Sequence, residues 1–92
     1  MGWVVEFTNR ARKQKEKLPR SVQTVLFQLV KEIEKAGPVR GDWPNYSKLS
    51  ANIHHCHLKK GKPTYVAVWR VVEGNIRVVE VIYAGSHEKA PY

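Results

Sequence analysis

The chain has 92 residues, enough for one modest core, with 42% hydrophobic and 26% charged residues. No run approaches the ~18 apolar residues of a membrane span. The first residues lack the pattern of a secretion signal, and Gly2 is followed by Trp3, Val4, Val5 and Glu6, which misses a myristoylation site. A formal net charge of +8 favours polyanionic partners, and a single cysteine, which cannot form an internal disulfide, fits the cytoplasm.

In chain order, Trp3 to Phe7 is short, apolar and β-branched, which predicts a strand. Thr8 or Asn9 then caps a basic helix through Leu18, with Ala11 and Leu18 as its apolar positions. Pro19 suits the first turn of a second helix, in which Val22, Val25, Leu26, Leu29, Val30 and Ile33 recur at three- and four-residue steps. Gly37-Pro38 ends it, and Val39 to Ser47 reads as an irregular connection. Three apolar runs follow, Ile53 to Lys59, Thr64 to Val72 and Ile76 to Ala84, separated by Gly61-Lys62-Pro63 and Glu73-Gly74-Asn75. They predict an antiparallel meander, followed by a polar tail from Ser86 to Tyr92. The expected fold is α+β in the order β-α-α-β-β-β, an antiparallel sheet with a helical hairpin on one face, as a single domain over residues 1–92.

A sheet covered on one face sends alternate residues to core and solvent. His54, Cys56 and Leu58 then share the core face, while His55, His57 and Lys59 share the open one. In the next strand Tyr65, Ala67, Trp69 and Val71 alternate with Val66, Val68, Arg70 and Val72, and Arg70 marks the open face because Trp69 prefers a core.

This alternation decides what the stretch IHHCHLKKG can do. Adjacent His54 and His55 point apart, so the four residues cannot chelate a metal as a cluster. His55 and His57 could share one with His87, but no carboxylate lies near the motif, and no metal is expected. Cys56 reads as a small buried hydrophobe rather than a nucleophile. There remain His55, His57, Lys59 and Arg70 on a solvent-facing sheet, with Lys48, Lys60 and Lys62 nearby; Arg77 and Lys89 join the RNA-binding cations. Imidazoles exchange protons near neutrality, and cations stabilise a pentavalent phosphorane. RNA supplies its own 2′-hydroxyl nucleophile, so such a face can cleave RNA without a cofactor. The plainer alternative is a polar face that only binds nucleic acid.

The element order, the length, the charge and the segments VVEFTNRARKQKEKLP, YSKLSANIHHCHLKKG, YVAVWRV and VVEVIYAGSHEKAPY resemble the RelE/ParE superfamily of toxin–antitoxin toxins. The likeness spans essentially the whole chain and is closer to the RelE-type mRNA-cleaving toxins than to the ParE-type gyrase inhibitors. RelE-type toxins carry basic residues at alternate positions of the first meander strand, which fall here on His55 and His57. They use an arginine in the next strand, where Val66 stands; Arg70, four residues on, or Lys59 would substitute. A histidine or arginine after the last strand is matched by His87, and a tyrosine set against the substrate base by Tyr92. The resemblance thus implies His55, His57 and His87 as acid and base, Lys59 and Arg70 as phosphate cations, and Tyr92 as a stacking residue. It also implies a cognate antitoxin, mRNA and the ribosome as partners. The competing expectations are a ParE-like gyrase inhibitor and a non-catalytic RNA-binding domain.

Overall fold

The computed structural model describes residues 2–74 and 76–92. In chain order it forms β1 (Val4–Phe7), α1 (Asn9–Glu16), α2 (Arg20–Ala36), β2 (Ser47–Ser50), β3 (Ile53–Lys59), β4 (Tyr65–Val71) and β5 (Val78–Ser86), then a 3-10 turn at His87–Lys89. Among the described residues the strands make one sheet, ordered β1-β5-β4-β3-β2.

The helices begin where capping chemistry dictates. Thr8 Oγ1 accepts from the Ala11 N–H at 3.0 Å, satisfying an orphan donor of α1. The helix stops at Glu16, two residues before the expected Leu18, and Pro19 takes the N-cap position of α2 instead of its first turn. Gln23 Nε2 staples this corner, donating to the Lys15 carbonyl at 3.0 Å and the Leu18 carbonyl at 3.1 Å. α2 buries Val22, Leu26, Leu29 and Ile33 along one stripe. It ends at Gly37, where φ is 97° and a Cβ would meet Trp3 Nε1 at 3.0 Å, so only glycine fits.

The expected antiparallel pairing holds from β2 to β5, whereas β1 lies parallel to β5, with Val4 opposite Val78 and Phe7 opposite Val81. A parallel pair needs a crossover, and the helical hairpin is part of it. β2 adds a strand at the end of the expected irregular connection. β5 runs from Val78 to Ser86, not from Ile76 to Ala84, because the preceding turn is longer: Gly74 has φ 80° and Arg77 φ 58°. Asn75 of that expected turn lies outside the described residues.

On the helix side Trp69 is fully buried among Cys56, Leu58, Ala67, Val79 and Val81. Its indole N–H donates to the Pro38 carbonyl at 3.0 Å. His54 is buried here as expected, its ring stacked on Trp69 at 5.9 Å and 7°, with Tyr46 Oη 2.6 Å from its Nδ1. The opposite face carries a second cluster of Val66, Val68 and Tyr83, against which Ile53, Ile82 and Ala90 pack. The tail is thus folded back on the sheet, and the face expected to be open is covered at its centre.

Burial, and secondarily the Lys48 charge, holds the His54 imidazole below its ordinary value of 6.5. The unfolded chain therefore takes up a proton first as pH falls through that value, so stability is full above it and lost below it. The urea midpoint should drop between about pH 7.5 and pH 5.5, and His54→Phe, which keeps a ring on Trp69, should shrink that drop. Equal drops in both proteins would remove His54 as a source.

Candidate acid–base site

β3 is held on both edges, so its side chains stand at fixed positions. His55 pairs with Ser47 on β2 and Val68 on β4, and His57 pairs with Val66. The His57 N–H also donates to the Pro44 carbonyl at 2.8 Å. Alternation sends both imidazoles to the face away from the helices. His87 arrives from the end of β5, where its N–H donates to the Thr64 carbonyl at 2.8 Å and the Tyr83 hydroxyl donates to the Ser86 carbonyl at 2.7 Å.

The result is a chain of four rings. His55 and His57 are 6.2 Å apart by centroids, His57 and His87 5.5 Å, His87 and Tyr92 5.9 Å, and Tyr92 and His55 4.5 Å. Beside His57 and His87 an open hollow of about 550 Å³ is bounded by Gly61, Lys62, Thr64 and Glu88. Among the described residues no group of three or more His, Cys, Asp or Glu side chains is placed to hold a metal ion.

Burial lowers the His55 pKa; a backbone hydrogen bond to Ser47 opposes this and the His87 charge adds to it. His57 is also lowered, first by burial and then by His87, His55 and Lys60. Its Nδ1 is buried without a hydrogen-bond partner. Both β3 imidazoles are thereby kept neutral in the ordinary histidine range and able to accept a proton. The Tyr92 phenol is raised, chiefly by burial, and stays protonated at neutral pH. Cys56 is pushed up to about 12 by burial, so it is no nucleophile at neutral pH.

Of the catalytic residues expected from sequence, His55, His57, His87 and Tyr92 come together and two cations do not. A bulge interrupts β3 between His57 and Lys59, which sets Lys59 opposite Tyr65, a ring of the helix-side core. The simple alternation that grouped Lys59 with His57 fails there. Arg70 lies on the expected face, but its guanidinium turns to β5, donating to Glu80 Oε1 at 3.0 and 2.7 Å and away from the histidines of β3. Val66, at the position where the resemblance places an arginine, is fully buried under the tail.

Among the RNA-binding candidates, Lys62 lines the hollow, Lys60 acts on His57, and Lys89 is exposed in the 3-10 turn with His87. Lys48 pairs with His54, so it belongs to the other face. Arg77 precedes β5 at the end opposite His87, with nine residues of strand between them, roughly 30 Å. Sequence reasoning missed Ser47 and Tyr83, which contact the site only through the pairing of β2 and the strand-to-turn corner. The apolar Val66 and Val68 on that face of β4 were a signal for the cover that includes Tyr83, whereas nothing in the sequence marked Ser47.

A scan against protein-family models finds no match, and no curated protein matches the chain. Solved structures do. The isolated RelE toxin of E. coli aligns with TM-score 0.71 at 22% identity, covering 97% of this chain and 88% of that one. The RelE–RelB complex of Pyrococcus horikoshii OT3 aligns at 0.68 and 13%, covering 98% and 100%. The toxin–antitoxin complex RelBE2 of Mycobacterium tuberculosis aligns at 0.68 and 19%, covering 95% and 100%. At these identities the likeness is one of backbone architecture, over nearly the whole of each chain. A five-stranded mixed sheet with a helical hairpin packed on one face is the fold of the RelE toxins, and this chain has it.

Proposed function

We propose that the protein is the toxin of a type II toxin–antitoxin pair and cleaves mRNA, on the ribosome, by metal-independent acid–base catalysis in the cytoplasm. The observation that carries this reading is the convergence of three imidazoles and a tyrosine beside a lysine-rimmed hollow. Two of the similar structures are toxins bound to their antitoxins, which supports an antitoxin partner here. Among the described residues no helix is long and apolar enough to cross a membrane.

In the proposed reaction one β3 imidazole takes the proton of a ribose 2′-hydroxyl, whose oxygen attacks the adjacent phosphorus. His87 gives a proton to the departing 5′-oxygen. The products are a 2′,3′-cyclic phosphate and a free 5′-hydroxyl. Lys60 and Lys62 supply positive charge to the phosphorane, and the Tyr92 ring stacks on a base. After burial, the His87 charge 5.5 Å away also holds the His57 pKa down, which suits His57 to accept a proton.

The purified protein should cleave ribosome-bound mRNA to a 2′,3′-cyclic phosphate and a 5′-hydroxyl end, at a rate unchanged when Zn²⁺ or Mn²⁺ is added to the Mg²⁺ that holds the ribosome together. His87→Ala should lose about 10²- to 10⁴-fold in rate with an unchanged unfolding curve. Intact mRNA with DNA damage in expressing cells would point instead to gyrase inhibition. Because the acceptor imidazoles are held low, the acid limb of kcat/KM should lie below pH 6.5, and an alkaline limb should follow where the acid loses its proton; an acid limb above pH 6.5 would contradict a β3 histidine as base. Arg70→Ala should change the rate less than about threefold and stability by under about 1 kcal/mol, since its exposed ion pair is a surface one. A collapse of the rate would return Arg70 to the site.

A further inference from the structure

Two consecutive residues at the start of β2 and just before it reach neighbouring histidines of β3 on opposite faces of the sheet. Tyr46, just before the strand, meets His54 on the core side, and Ser47 meets His55 on the other. Ser47 makes two contacts with one atom: its Oγ is 3.0 Å and its carbonyl oxygen 3.3 Å from His55 Nδ1. A carbonyl oxygen can only accept a hydrogen bond, so the second contact is attractive only if Nδ1 carries the proton. In the other tautomer the Nδ1 lone pair would face the carbonyl lone pairs across that gap. With the proton on Nδ1, the hydroxyl oxygen can accept from it as well, and the basic lone pair of the neutral ring lies on Nε2. Nδ1 is occupied within the sheet, so Nε2 is the nitrogen left for a substrate.

His57 has no such support. Its Nδ1 is buried with no hydrogen-bond partner, so no neighbouring group selects its tautomer. Of the two β3 imidazoles on this face, only His55 is oriented through one nitrogen so that the other can work. β2 is otherwise a poor strand. It is four residues long, exposed throughout, irregular between Lys48 and Ser50, and at the edge of the sheet.

We infer that Ser47 is a positioning residue that fixes His55 in its Nδ1–H tautomer and makes His55 Nε2 the atom that takes the 2′-hydroxyl proton. This rests on the ribonuclease reading of the site, and it assigns the base within it. The step is balanced: the hydroxyl proton moves to Nε2, the ring becomes imidazolium with both nitrogens protonated, and the Nδ1–H bonds to Ser47 persist throughout. Protonation therefore strengthens the bonds that hold the ring and requires no reorientation.

The test separates the tautomer from the reaction. Long-range ¹H–¹⁵N spectra of the free protein at about pH 7.5 should show the Nδ1–H pattern for His55 in wild type. In Ser47→Ala, which keeps the selecting carbonyl but loses the shorter contact at 3.0 Å, the Nδ1 proton should exchange faster with water. With an mRNA substrate, Ser47→Ala should lower kcat about three- to tenfold with KM within about twofold, and move the acid limb of the pH profile downward. Ser47→Thr should restore both, and Ser50→Ala, in the same strand, should match wild type. An Nε2–H pattern in wild type would overturn the inference, as would an unchanged exchange rate and kcat in Ser47→Ala. If wild type cleaves no RNA, the ribonuclease reading fails while the spectra still decide what Ser47 does to His55.

Discussion

A strand that carries histidines at positions 54, 55 and 57 must send one imidazole into the helix-side core if it is to turn the other two to the opposite face. Period-two alternation leaves no alternative, since adjacent residues leave the backbone on opposite sides. His54 goes into the core, where an unpaired polar ring would be costly. The cost is offset by the Tyr46 hydroxyl 2.6 Å away and by the stack on Trp69, whose own N–H is bonded to the Pro38 carbonyl. One obligatory burial thus ties the connection after α2 to the centre of the sheet.

The same tie builds the other face. Tyr46 and Ser47 are consecutive and lie against β3, so their side chains also diverge. Once Tyr46 is held on His54, Ser47 stands opposite His55. The core polar pair and the site hydrogen bond therefore share one register, and a slip of a single residue would lose both together. A buried hydroxyl–imidazole contact of this kind supplies specificity of pairing rather than a large net stabilisation.

Much of this was legible in the sequence, and the limits have physical causes. The amphipathic period of α2, the glycine stop at Gly37 and the division of HHCH between two faces follow from local geometry, and the structure shows each. The bulge at the end of β3 was not legible, because one extra residue in a strand leaves no mark in composition. The parallel placement of β1 was missed because neither its residues nor its length distinguish it from an antiparallel edge strand. Arg70 looked like a free cation because its partner, Glu80, lies ten residues away on a neighbouring strand. The tail was read as polar, yet Ala90 packs on the buried patch of Val66, Val68 and Tyr83, and the Tyr92 ring lies 4.5 Å from that of His55.

The docked tail changes the electrostatics of the proposed reaction. Tyr92 and the sheet take His55 partly out of water, and His87 and Lys60 stand near His57, so His55 and His57 are both held below their ordinary value. A site built this way is neutral where it must accept a proton, while the lysines around it still attract a polyanion. An RNA phosphate entering the hollow beside His57 and His87 would bring negative charge to rings that repel one another as cations. His55 and His57 would wait in the form that accepts protons, a state set by burial and charge crowding rather than by a dedicated carboxylate.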